Sequence, residues 1–229
     1  MALGTAPETA TDTVPHELRF DAGRICLDLL STTHPEERLD SLPPLRAWIA
    51  GAGLVPPGTG LAHADLAWLA AFRELRGHIG HLVHGHLEGP PRPDPRAHDL
   101  PHAHDLSHAR DLARDLSHAR DLALARVNEA ARAAPPAPRA VRRADGTLVR
   151  ALAAPPQCAA LLAAVARDAL ELLTDPVARA ALRRCAGDNC PIVYLDTSRG
   201  RRRRWCSSEV CGNRERVARH RRRAALART

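Results

Sequence analysis

CAGDNC at residues 185–190 and CSSEVC at residues 206–211 place four cysteines within 27 residues, spaced C-x4-C-x15-C-x4-C. Two close pairs separated by a hairpin-length interval form a tetrahedral zinc pattern, with Cys185, Cys190, Cys206 and Cys211 as ligands. Gly187 and Asn189 tolerate the left-handed backbone that a tight metal knuckle needs. In the second pair, Ser207 or Ser208 can cap a helix and Glu209 suits its positive end. A five-residue offset turns a helix by about 140°. Both sulfurs of that pair therefore reach one ion only if Cys206 lies in the loop before the helix and Cys211 in its first turn. Hairpin, knuckle and helix-borne pair predict a treble-clef-like finger. Four thiolates with no open position predict a structural ion, because a catalytic zinc keeps a water. Disulfides would suit a secreted chain, and the polar N-terminus MALGTAPETATDTVPHEL lacks a basic-then-apolar signal pattern. Cys26 and Cys158 stand singly on apolar faces and are expected to be core thiols.

Charge concentrates around the same stretch. All 33 basic residues are Arg. Residues 183–229 hold 14 Arg against 4 acids, whereas residues 1–182 hold 19 Arg against 22 acids. The net +7 thus resides wholly in the last fifth of the chain, a polyanion-binding tail on a mildly acidic body. On a helix beginning near Ser208, Val210, Asn213, Val217, His220 and Ala224 repeat at helical spacing and predict one narrow packed seam. Arg214, Arg216, Arg219, Arg221, Arg222 and Arg223 fan over the rest of that helix. Arg201, Arg202, Arg203 and Arg204 add a second cluster, held close because Trp205 adjoins a ligand. Guanidinium forks suit phosphates and guanine edges, so these ten arginines are the expected nucleic-acid contacts, with Trp205, Asn213 and His220 as structural support. The competing reading is a solvated cationic tail; anchoring to a metal, which fixes the orientation of the helix, favours nucleic acid.

Upstream, helical spacing dominates. Residues 1–17 read as a disordered lead. Pro43 and Pro44 open a helix that Gly51 and Gly53 end. Leu66, Leu69, Phe72, Leu75, Ile79 and Leu82 mark a longer one, and four prolines between 88 and 96 break it. Residues 97–122 are repetitive, with SHARDL at 107–112 and again at 117–122, and still favour helix. Asp145-Gly146 between short alternating stretches signals a hairpin. Pro155 and Pro156 open another helix, with an apolar face at Cys158, Leu161, Leu162, Val165, Ala169, Leu172 and Leu173. Asp175-Pro176 reads as a cap and first helical position. The fold class is therefore mainly α: a helical domain over 18–175 with one small hairpin, then a zinc finger over 176–229 ending in a basic helix.

Six aromatic residues in 229 argue against stacked-ring RNA platforms. No apolar run approaches a membrane span. Twelve of the thirteen His precede the finger. His78, His81 and His84, with His98, His102, His104, His108 and His118, could form a second metal site. Spacing by three drifts around a helix, however, and the blander reading is low-complexity drift on an exposed face. No phosphate-cradling Gly-rich loop, G-x-S-x-G or H-E-x-x-H is present, and the chain is not expected to be an enzyme.

Cys185-x4-Cys190 followed by YLDTSRGRRRRWCSSEVCGNRERVARHRRR closely resembles the CGNR zinc-finger family, down to Cys211-Gly212-Asn213-Arg214. F-x-x-G-R-x-x-L-D-L-L-x-T from Phe20, then LRAWIAGAGL and a helix-rich region, is similar to the companion ABATE domain. The resemblance implies a bacterial, stress-linked transcription regulator whose four cysteines hold zinc and whose finger binds DNA. Ser31 stands where the family usually has Asn, Arg216 where Lys is common, and residues 97–122 are an apparent insertion. The expectation is a cytoplasmic, nucleoid-associated, zinc-dependent regulator. Its finger binds double-stranded DNA, and its helical domain senses a small ligand or a protein. An RNA- or ribosome-associated zinc protein and a protein-interaction adaptor are the alternatives.

Overall fold

The computed structural model describes residues 18–88 and 103–226, with side chains placed over 18–88 and 111–223. The expected lead at 1–17 and the prolines of 89–96 lie outside the described residues, as do His98, His102 and the side chains of His104 and His108.

Three helices build the body: α3 (Leu66–Glu88), α4 (Ala103–Ala131) and α5 (Cys158–Thr174), mutually packed. On α3, Trp68, Leu69, Phe72, Leu75, Ile79 and Val83 recur at three and four residues and turn one face inward. Leu66, expected on that face, is the first residue of the helix and is 69% exposed. Burying the apolar face is what holds such helices, since propensity alone is marginal. On α5 the buried set is Leu161, Val165, Ala169 and Leu172, as the spacing predicts, with Leu162 and Leu173 half-buried at its margin. Among the described side chains of α4, Ala123 and Val127 are buried, whereas Leu112 and Leu116 are exposed.

Two short helices close the body. α2 (Leu42–Gly51) has prolines in its first turn and lays Trp48 edge-on to Phe72, centroids 5.8 Å apart. α1 (Ile25–Ser31) packs between α3, α5 and the finger. No side chain of its own caps α1; the carboxylate of Asp168 on α5 instead accepts from the Cys26 N–H at 2.8 Å. Arg24 binds the same carboxylate at 2.8 Å and the Asp168 carbonyl at 2.9 Å. Arg76, nearly buried, grips Glu37 bidentately at 2.8 and 2.5 Å and fastens the loop after α1 to α3.

The chain from α4 to α5 folds into an antiparallel ribbon, β1 (Pro138–Arg142) with β2 (Leu148–Leu152). Asp145 accepts from the Thr147 N–H and hydroxyl, and Gly146 takes φ +85°, as the Asp-Gly signal predicts. After α5, Asp175 caps α6 (Pro176–Arg179) by accepting from Val177 N–H at 2.8 Å. A second hairpin follows, β3 (Leu182–Arg184) with β4 (Val193–Leu195), and α7 (Cys211–Leu226) ends the described chain. Leu182, Val193 and Leu195 join the same apolar core as α1, α3 and α5. Contact between the two regions is backbone-tight: Leu195 N–H donates to the Ala22 carbonyl at 2.8 Å. A Cβ on Gly23, whose φ is +91°, would come within 3.2 Å of the Leu195 Cβ. Glycine at 23 is thus required both by its backbone conformation and by the strand lying against it.

Candidate metal centre and its basic surroundings

The first cysteine pair occupies the turn between β3 and β4. Cys185 N–H bonds to the Ile192 carbonyl at 2.9 Å and continues the hairpin register, while Asn189 takes φ +57°. Gly187 is needed for proximity: a Cβ there would sit 3.3 Å from Cys211 Cβ and 3.5 Å from two sulfurs. The second pair is placed as the offset requires. Cys206 lies in the loop, Ser207 Oγ accepts from the Glu209 and Val210 N–H groups, and Cys211 opens α7.

All four sulfurs come within 4.8 Å of one another. Cys190 and Cys206 are 3.7 Å apart, and Cys206 and Cys211 3.6 Å. Zn–S bonds of about 2.3 Å in a tetrahedron give sulfur edges of about 3.8 Å, so the donor set fits one zinc ion. The backbone is arranged for thiolate: Cys206 N–H and Gly187 N–H point at Cys185 Sγ at 3.3 and 3.4 Å. Despite burial, those two N–H groups hold the Cys185 thiol below its ordinary range. Burial pushes the Cys190 thiol up to about 11 and that of Cys206 up as well. Four sulfurs this close and this dry are stable as thiolates only around a cation. No other group of three or more metal-ligating side chains occurs among the described residues, the His78, His81 and His84 face included. Cys26 is fully buried and Cys158 half-buried, both unpaired.

The finger is wired into the body by residues that composition and spacing do not single out. Arg19 donates to Cys206 Sγ at 3.5 Å while held by Asp21 at 2.7 Å. Asp196 organises the arginine loop, accepting from Ser198 N–H and Oγ and from Arg203 N–H. Tyr194 donates its hydroxyl to the Arg203 carbonyl. Arg203, expected to face nucleic acid, is turned inward instead. Its guanidinium lies 4.6 Å from the Tyr194 ring centre and donates to the carbonyls of Trp205, Cys206 and Asp21. It is a crosspiece between finger and body. Replacing it, Arg203→Ala, is expected to cost about 2 kcal/mol, the scale of a charge-assisted hydrogen bond lost from a half-buried site. Thermal melting with and without zinc checks this, because an exposed contact would leave the melting unchanged.

Arg201, Arg202, Arg204, Arg214, Arg216, Arg219, Arg221, Arg222 and Arg223 are exposed. Arg216 also donates to the Gly212 and Ser208 carbonyls near the start of its helix. The packed seam foreseen along α7 is absent from the described residues: Val210 and Val217 are each 43% exposed, and Asn213 and His220 are exposed as well. Cys211 and Gly212 are buried, and from Asn213 to Arg223 the described side chains are exposed apart from the half-buried Glu215 and Ala218, so the helix projects from a first turn that the metal site pins. Of the expected supports, Trp205 alone is half-buried, with Arg204 over its ring at 5.5 Å. Between the projecting helix and the loop after α1 lies a cleft of about 500 Å³, lined by Arg19, His34, Arg38, Asn189, Val210 and Arg214 among others. Burial and the flanking Arg214, Arg38 and Arg19 push the His34 imidazole below its ordinary range, so this wall is electropositive.

Residues 23–176 match the family ABATE, described as "Putative stress-induced transcription regulator", and residues 181–224 match the CGNR zinc finger. No protein of curated function matches the chain.

Proposed function

Because the chain belongs to the ABATE family and carries a CGNR zinc finger with one structural zinc ion, we propose that it is a zinc-dependent, DNA-binding transcription regulator. The observation that carries this reading is the pinned, projecting α7, whose exposed arginines stand clear of the body on a base fixed by four cysteines. Arg214, Arg219, Arg221, Arg222 and Arg223 on the helix, and Arg201, Arg202 and Arg204 on the neighbouring loop, are the phosphate and base contacts. Arg216, half engaged on its own helix, adds charge. The helical body senses a ligand or partner and transmits its state through residues 19–23, which touch both α1 and the finger. The chain acts by binding, without a catalytic step, in the cytoplasm on the nucleoid. Among the described residues no helix is long and apolar enough to cross a membrane.

Arg219→Ala with Arg223→Ala tests the reading. Each phosphate contact contributes about −0.9 to the slope of log affinity against log salt, so the double variant is expected to flatten that slope by about 2. Competition among duplex DNA, structured RNA and heparin separates DNA from RNA recognition. An unchanged affinity and slope in the double variant would leave the adaptor reading in possession.

A further inference from the structure

The β1–β2 ribbon rises at the end of the body opposite the finger. Its base is closed by the Ala153 N–H on the Ala137 carbonyl at 3.0 Å. Just beyond it, Pro156 meets His63 at 2.8 Å, beside the loop between α2 and α3. From this end α5 runs to Thr174 and into α6 and β3, and α3 runs to Glu88, which pairs with Arg184 of the finger at 3.1 Å. Seventeen helical residues in α5 span about 25 Å, which sets the separation of the two ends.

Strand alternation puts Arg139 on one face of the ribbon with Val141, and Arg142 and Arg150 on the other. Arg143 follows at the turn. All four are exposed, and none pairs with a carboxylate among the described residues. The one acid of the ribbon, Asp145, is engaged by Thr147. β1 is exposed along its whole length, and Leu148 on β2 is 64% exposed.

The geometry points to a second nucleic-acid contact, in which this ribbon lies in a duplex groove and its arginines take phosphates from both walls. The major groove admits a two-stranded ribbon, and a groove presents anions on both sides, as the ribbon presents cations on both faces. A flat acidic protein surface or an anionic bilayer meets one face only, and the turn Ala144–Thr147 carries the Asp145 carboxylate, which an anionic bilayer repels. With the finger at the other end, one molecule joins two duplex segments. The joining rests on the finger binding DNA; the ribbon contact does not.

The test uses the full zinc-loaded chain and capture of a fluorescent duplex by an immobilised one. R139A/R142A/R150A is expected to lower capture about tenfold or more and to flatten the salt slope by about 2 to 3, with melting and zinc content unchanged. The corresponding triple Lys variant keeps capture, as charge alone requires. R219A/R223A is expected to keep a residual duplex affinity that disappears when combined with the ribbon variant. Wild-type capture and slope in the ribbon variant, with binding lost in the finger variant, overturns the ribbon contact and leaves the finger reading standing. Binding lost in the ribbon variant and intact in the finger variant supports the ribbon contact and overturns the joining. Tighter binding to phosphatidylglycerol vesicles than to duplex, abolished by the ribbon substitutions, overturns the nucleic-acid assignment.

Discussion

Replacing Cys206 by Ser lowers the melting temperature of the whole chain by about 10–20 °C, the shift expected for roughly 5 kcal/mol in a domain of this size. Cys206 is fully buried, touches the sulfurs of Cys190 and Cys211, and takes the Arg19 hydrogen bond. Serine offers a harder, protonated oxygen at the same position, so the ion loses a ligand and three thiolates lose their neutralising charge. Metal-coupled folding of such sites is worth about 10 kcal/mol or more, of which a three-sulfur remnant keeps part. The melt of the body shifts with that of the finger, because Leu182, Val193 and Leu195 share its core. Chelation of the wild type reproduces the effect, and zinc stoichiometry falls well below one. Cys158→Ser, at a half-buried thiol remote from the cluster, leaves both readings near wild type. Equal melting and equal metal content in Cys206→Ser would refute a structural ion.

Asp28→Asn stabilises the protein at alkaline pH and makes its stability less dependent on pH. Asp28 is 7% exposed and accepts from the Ala22 N–H at 2.9 Å. Burial, with the neighbouring charges of Asp21 and Asp168 adding to it, pushes its carboxyl up to about 7. The unfolded chain releases this proton near pH 4, the folded chain near pH 7. Between those values the folded state holds the extra proton, and stability falls as pH rises, by about 1.4 kcal/mol per unit. Above pH 7 the penalty is complete. Asparagine keeps the acceptor for Ala22 and carries no charge. The gap between variant and wild type therefore widens by on the order of 3 kcal/mol from pH 5 to pH 8. Denaturant melts at the two pH values measure this; a constant gap would place the carboxyl in its ordinary range.

The knuckle, its left-handed Asn189, the Asp-Gly ribbon and the Asp175 cap were legible because each depends on a few adjacent residues whose chemistry has one common use. The buried faces of α3 and α5 were legible from periodicity. Arg203 was not, because an arginine in a run of four carries no local mark separating the one that folds inward. That selection is made by Asp196 and Tyr194, which wind the loop, and by the Asp21 carbonyl, 182 residues away in sequence. Arg19 escaped notice because its sulfur partner, Cys206, lies 187 residues away in sequence. The apolar stripe on α7 misled because spacing shows that a face exists and says nothing of whether another element arrives to cover it. The three-residue strands of the finger and the 3.2 Å approach of Gly23 to Leu195 are likewise products of tertiary packing.

Residues 19–23 lie across the finger as a strap, with Arg19 on a ligand sulfur, Asp21 on Arg203 and Ala22 on Leu195. A finger built this way is not a portable cassette. Cut out and grafted onto another carrier, residues 181–226 would bare a greasy flank and a sulfur without its guanidinium. Gene rearrangement could therefore shuffle the two halves only by inventing a new strap, and descent is expected to keep them together as one heritable unit.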